Sequence, residues 1–253
     1  MKASAGRTKS SGRRMAAQYV TTRVMAESAT AAEGIPKILQ ALCESLGWDH
    51  GGVWSIDPQL NALRWVASWH VPAAEFSKFD ALSRQTVFPP GAGLPGRVWS
   101  AREPVWVADT ASDTGLPRAV IASKEGIHSA VGFPIILAGE ILGVIELFSR
   151  KRRRPNQDVL ESLAAIGSQV GQFLERKRSE EGLRESEERF RSLFEEAPIA
   201  YHEIDTGGVI RRVNRAECRL LGLPPEAIIG RHVWEFVTPA GREASRRCAA
   251  EKP

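Results

Sequence analysis

The residues of this 253-residue sequence with most chemistry to offer are five histidines, three cysteines and seven tryptophans. His50, His70, His128, His202 and His232 fall in neither HExxH nor HxH spacing, so the sequence offers no metal site. His70 follows Trp69 at the end of an alternating run. An imidazole there is the ligand type that holds haem iron, and a strand-edge or surface histidine is the competing reading. Cys43, Cys218 and Cys248 share no CxxC spacing and are odd in number. That argues against a disulfide framework or zinc knuckle and fits a reducing, cytoplasmic setting. No catalytic triad is evident, and no catalytic residue is assigned. Gly91, Gly93 and Gly96 have the spacing of a phosphate loop, but Pro95 and Arg97 stand where that loop has its Gly-Lys-Ser/Thr ending. A tight turn that packs a helix on a sheet is the alternative.

Six tryptophans, Trp48, Trp54, Trp65, Trp69, Trp99 and Trp106, lie in the first half of the chain. Indoles fill cores, where each N–H needs a partner, and they also line pockets for flat apolar ligands.

Composition bounds the partners. At 43% hydrophobic and 25% charged residues the chain is neither a disordered nor a collagen-like protein. No apolar run approaches the roughly 20 residues that span a bilayer. The net charge is +4, but Lys2, Arg7, Lys9, Arg13 and Arg14 supply five positive charges with no acid among them, so the remaining 239 residues carry −1. A second basic cluster runs from Arg150 to Arg154. Basicity confined to two short segments predicts no specific nucleic-acid partner. Residues 1–18 read as a disordered basic tail, with no apolar core of a secretory signal.

The elements that must position these residues follow from periodicity. Helix is expected over 19–46, broken near Gly34 and Pro36 and ended by Gly47. Residues 52–56 and 63–69 read as a hairpin, with Leu63, Trp65, Ala67 and Trp69 on one face. A short helix and loop cover 71–88, a helix surrounds 97–100, a strand covers 105–107, and 109–124 is loop and helix. Strands 129–137 and 140–149 form a second hairpin about Ala138-Gly139, with Pro134 marking an edge or a bulge. A long helix runs from Asn156 to about Leu193. Ile166, Val170 and Phe173 form one seam on it; Leu183, Phe190 and Phe194 form a second, out of phase. Strands at 198–204 and 209–213 follow, then short helices.

These residues resemble two families. The block GAGLPGRVWSAREPVWVAD followed by GIHSAVGFPIILAGEILGVIELFSR resembles a GAF domain over 19–178. The stretch from LRESEERFRSLFEEAP to GRHVWEFVTP, with Asn214, Leu221-Gly222 and Ile229-Gly230, is similar to the first half of a PAS domain over 183–253. The fold class expected is α+β: a GAF-like antiparallel sheet flanked by helices, a connecting signalling helix over 156–194, and an incomplete PAS-like unit lacking its last three strands. The chain reads as a fragment or the product of an early stop.

The resemblance implies a non-catalytic sensory and dimerisation module of a bacterial signalling protein, the input part of a histidine kinase or a cyclic-di-nucleotide enzyme. No kinase histidine box and no GGDEF-like string occurs. A homodimer through the helices and a small-molecule ligand in the GAF unit are expected. By family analogy the pocket lies between the sheet and residues 76–82 and 118–124, with Trp54, Trp65, Trp69, Phe76, Phe79 and Val120 as walls. The ligand is not identified. Covalent bilin is disfavoured because no cysteine falls between residues 47 and 217, and the same lack disfavours a sulfoxide reductase. The cyclic-nucleotide Asn-Lys-Phe-Asp-Glu signature is missing. A haem- or flavin-binding redox sensor is the alternative, with His70 and His128 as its candidate ligands.

Overall fold

The computed structural model describes residues 2–73 and 76–243, so Cys248 lies outside the described residues. The chain divides into two compact units, Met1–Ser179 and Glu180–Pro253.

The first unit opens with helices α1 (Lys2–Glu27) and α2 (Ala31–Leu46). Residues 2–18, which the sequence reads as a disordered tail, lie within α1. Alanine, arginine, methionine and glutamine favour helix. Ala17, Thr21 and Met25, spaced by four, are buried on one face. The break after α1 also falls earlier than expected, at Ser28–Thr30, with Pro36 inside α2. Thr30 Oγ1 accepts the Glu33 N–H, and the Glu33 carboxylate accepts the Ala29 N–H, a reciprocal cap strong enough to set the helix start. Gly47, at φ 72°, ends α2 in the left-handed conformation that glycine adopts without strain.

A six-stranded antiparallel sheet follows among the described residues. Its strands are β1 (His50–Asp57), β2 (Ala62–His70), β3 (Val87–Phe88), β4 (Val105–Val107), β5 (Ser129–Leu137) and β6 (Glu140–Ser149), in the order β3-β2-β1-β6-β5-β4. Between them lie α3 (Ser77–Gln85), α4 (Gly93–Ala101) and α5 (Ala119–Lys124). The long helix α6 (Gln157–Glu196) begins after Asn156, whose side chain accepts the Val159 N–H.

Each face of the sheet carries its own core. One joins Val53, Val131, Phe133, Ile145 and Leu147 to Ile38, Leu39 and Leu42 of α2 and to Ile166, Val170 and Phe173 of α6. The other joins Trp54, Leu63, Val144 and Phe148 to Phe76, Phe79, Leu94, Val98 and Ala122. Val53 pairs with Ala67 but Trp54 pairs with Trp65, so the β1–β2 register slips by one residue. This bulge corrects the expected alternation. Leu63 and Trp65 pack on the second core; Ala67 and Trp69 pack on the first. Beyond the bulge Ser68 and His70 share the face of Gly52 and His50.

Pro134 sits in β5 beyond the end of the β4 pairing, where its missing N–H costs no ladder bond. Helix α6 crosses there at close range: a Cβ on Gly167 would lie 2.1 Å from the Pro134 carbonyl oxygen, and one on Gly171 would lie 2.3 Å from that of Ile136. Only glycine allows that approach.

In the second unit the C-terminal part of α6 carries Leu183 and Phe190, 63% and 54% exposed, while Phe194 is buried. Strands β7 (His202–Ile204) and β8 (Ile210–Val213) pair antiparallel, and α7 (Arg215–Leu221) and α8 (Pro225–Ile228) follow. The first strand is shorter than expected and begins at His202. Asn214 organises the turn: its side chain caps α7 at Glu217 N, accepts the Tyr201 N–H and donates to the Ile199 carbonyl. Ile210, Val213 and Ile228 form this unit's core.

Candidate functional site

Glu146 is a single carboxylate in the apolar strand GVIELFS, and it is 1% exposed. The β6 register turns it toward the second core, opposite Gly52. There the Trp54 indole N–H donates to Glu146 Oε1 at 2.8 Å and Arg118 Nη2 donates to Oε2 at 2.6 Å. Arg118, which immediately precedes α5, also donates through Nη1 to Ser83 Oγ at 2.8 Å, and Ser83 in turn donates to the Phe79 carbonyl. The guanidinium lies within 4.7–5.5 Å of the ring centroids of Phe79, Phe88, Trp54 and Phe148. Ring faces carry negative potential and attract a cation. The result is a buried, charge-balanced pair in an aromatic cage.

A second polar group shares two of those rings. His50 Nε2 lies 2.7 Å from Asp80 Oδ1, and Ser68 Oγ donates to Asp80 Oδ2 at 2.9 Å. His50 packs edge-on against Phe76, Phe79 and Phe148 and stacks parallel to His70. Burial pushes the Asp80 carboxyl up, but the His50 contact and the Ser68 hydroxyl outweigh it, so the group sits below its ordinary range. His50 Nδ1 is buried without a partner. Helix α3 ties the two groups together, since it supplies Phe79, Asp80 and Ser83. Its own N-terminus is held from α5 by Glu125, which accepts the N–H groups of Lys78 and Phe79.

The open space beside this network is small. A cavity of about 20 Å³ lies among Phe79, Phe88, Leu94, Arg118, Ala122 and Phe148. That holds one water and nothing larger.

Of the residues expected as pocket walls, Trp54, Phe76 and Phe79 lie in this core, and Phe79 lines the cavity. Trp65 packs at its margin under the Arg84 guanidinium. Two placements are corrected. The bulge sends Trp69 to the opposite face of the sheet. Val120 is 67% exposed, because α5 turns Ala122 rather than Val120 inward. Arg118, Glu146, His50, Asp80, Ser68 and Ser83 are the residues that sequence reading missed. Glu146 alone carried a signal there, as a charge inside a buried strand.

Other candidate chemistry is accounted for by packing. Gly91 and Gly93 adopt φ of 82° and 59°, and a Cβ on Gly96 would meet the Pro89 carbonyl oxygen at 2.3 Å, so the segment is a tight turn that runs into the first turn of α4. Arg97 is held there by two bonds of 2.6 and 2.7 Å to Asp113. That pairing holds the Asp113 carboxyl below its usual range. Cys43 is buried in the first core, and burial pushes its thiol far up, away from nucleophilic use. His70 Nδ1 lies 3.1 Å from the Val71 carbonyl oxygen and its ring covers His50. Neither that arrangement nor the cavity volume fits a haem or a flavin. Among the described residues no group of three or more histidines, cysteines or carboxylates is placed to hold a metal, and no helix is long and apolar enough to cross a membrane.

The arrangement of sheet and helices has solved counterparts. It is similar to the GAF domain of a phosphoenolpyruvate-protein phosphotransferase from Coxiella burnetii (TM-score 0.56, 16% identity, 67% of this chain and 98% of that one). It is also similar to a free methionine-R-sulfoxide reductase from Neisseria meningitidis in complex with its substrate (TM-score 0.54, 19% identity, 68% of this chain and 93% of that one). At those identities the likeness is one of fold. In sequence the chain is 29% identical over 142 residues to the methyl sulfide methyltransferase-associated sensor of Methanosarcina acetivorans. That match covers 52% of this chain and spans only 14% of the relative's length. A PAS fold model matches residues 194–252. The GAF domain model matches residues 28–175, more than half of the chain, and the chain belongs to the GAF domain family.

Proposed function

We propose that this chain is the sensory part of a signal-transduction protein, in which the GAF unit holds a small molecule on the α3/α5 face of its sheet and helix α6 carries the result onward. The observation that carries this reading is the buried Arg118–Glu146 pair in its aromatic cage. A buried ion pair adds little stability over apolar packing, and a role in recognition is the reading we favour for its presence at this depth. Two further features support a relay. Glu146 faces the cage, while its strand neighbours Ile145 and Leu147 join the core that contains Ile166, Val170 and Phe173 of α6. A change at the cage therefore has only one strand to cross. The similarity to a protein named as a sensor points the same way.

The output is proposed to be a histidine kinase or a related signalling enzyme elsewhere in the parent protein. The working form is proposed to be a homodimer through the helices, because the apolar side chains Leu183 and Phe190 are more than half exposed on α6. For the relay to work, the small molecule must bind two states of the module with different affinity.

Native mass spectrometry of the purified full chain tests this reading. It reports subunit number and retained ligand together. A dimer carrying a defined extra mass is the expected result. A monomer that neither retains nor acquires any small molecule overturns it.

A further inference from the structure

We propose that the cage of Trp54, Phe79, Phe88 and Phe148 beside Glu146 is a cation site whose resting occupant is the protein's own Arg118, and that the sensed ligand carries a guanidinium group that takes its place. This deepens the reading of that face as the sensory site and rests on it.

Three observations lead there. The cavity of about 20 Å³ admits one water, so any larger ligand must displace a side chain. Among the groups around it, Phe79, Phe88 and Phe148 belong to α3 and the sheet, whereas Arg118 belongs to the segment entering the six-residue helix α5. Val120 of that helix already faces solvent, so α5 has an open side toward which to move. The charge left behind then selects the ligand. Glu146 is 1% exposed with Arg118 in place; with Arg118 withdrawn it would keep only the Trp54 N–H, beside the four rings that now pack on the guanidinium. A neutral or anionic ligand would leave a buried carboxylate uncompensated. A cation restores the balance and the contacts with the rings. A planar guanidinium also reproduces the two bonds Arg118 makes, one to Glu146 Oε2 and one to Ser83 Oγ. Arg118 itself would move into water, where its charge is well solvated.

The test uses the full chain with Arg118→Ala and two probes of similar size, methylguanidinium chloride and uncharged N-methylurea, with sodium chloride matching ionic strength. The expected result is a lowered Tm in R118A that methylguanidinium restores with saturable, millimolar dependence, while N-methylurea does not. The double variant R118A/E146Q should lose at least tenfold in apparent affinity for methylguanidinium. Arg118→Gln, which is shorter and uncharged but keeps the three-carbon stem and an amide donor, carries the same comparison by saturation-transfer NMR if R118A does not fold. Equal binding of both probes overturns the cation assignment and leaves the face a ligand site. Binding of neither probe to R118A or R118Q overturns both.

Discussion

Arg118 and Glu146 meet at 2.6 Å inside the GAF unit, with only 7% and 1% of their side chains exposed. The pair joins a loop residue to the middle of a central strand, and four aromatic rings pack around its guanidinium. Removing one partner of such a pair leaves a bare charge, whereas removing both leaves none.

Glu146→Gln is therefore predicted to cost about 3–5 kcal/mol of unfolding free energy. The double change Arg118→Met with Glu146→Leu is predicted to cost less than the single one. Urea denaturation of the three proteins checks both statements.

The His50–Asp80 contact predicts an acid limb in stability. The Asp80 carboxyl is held below its usual range in the folded chain. Its contribution is therefore fully present above the unfolded value of about 4 and is lost as pH falls through the lower folded value. Asp80→Asn should flatten the fall in Tm between roughly pH 4 and the acid end relative to the unchanged protein. A scan of Tm against pH in both proteins measures it.

Two glycines of α6 should respond in opposite directions. Gly167→Ala places a methyl group 2.1 Å from the Pro134 carbonyl oxygen and forces the helix off the sheet. A loss of about 1–3 kcal/mol is expected. Gly182→Ala meets nothing within 4 Å. It should gain up to about 1 kcal/mol from helix propensity, seen as slower amide exchange around residue 182.

Leu183→Asp with Phe190→Asp tests the proposed dimer seam. Both side chains are more than half exposed in the single chain, so the Tm of the GAF unit should hold while sedimentation velocity shifts from dimer to monomer.

Much of the fold was legible because period and punctuation agreed. Gly47 ends α2, Ala138-Gly139 turns the second hairpin, and Asn156 starts α6, each for a local steric or capping reason. The β1–β2 bulge was not legible. The run Leu63 to Trp69 alternates without interruption, and only pairing with Val53 and Trp54 reveals that Val66 is the extra residue. That slip puts Trp69 on the face opposite to the one its alternation predicts. Helix over residues before Tyr19 was obscured by charge: five basic residues outweighed the Ala17, Thr21 and Met25 stripe. Arg118 lay hidden because a loop arginine reads as a solvated one, and its burial depends on Glu146, 28 residues away in sequence.

Displacing Arg118 is expected to be felt in α6. Hydrogen–deuterium exchange of the full chain against R118Q measures this directly. Faster exchange is expected at residues 119–124 and also across 157–179, on the far side of the sheet. Faster exchange confined to 119–124, with α6 unchanged, would contradict it.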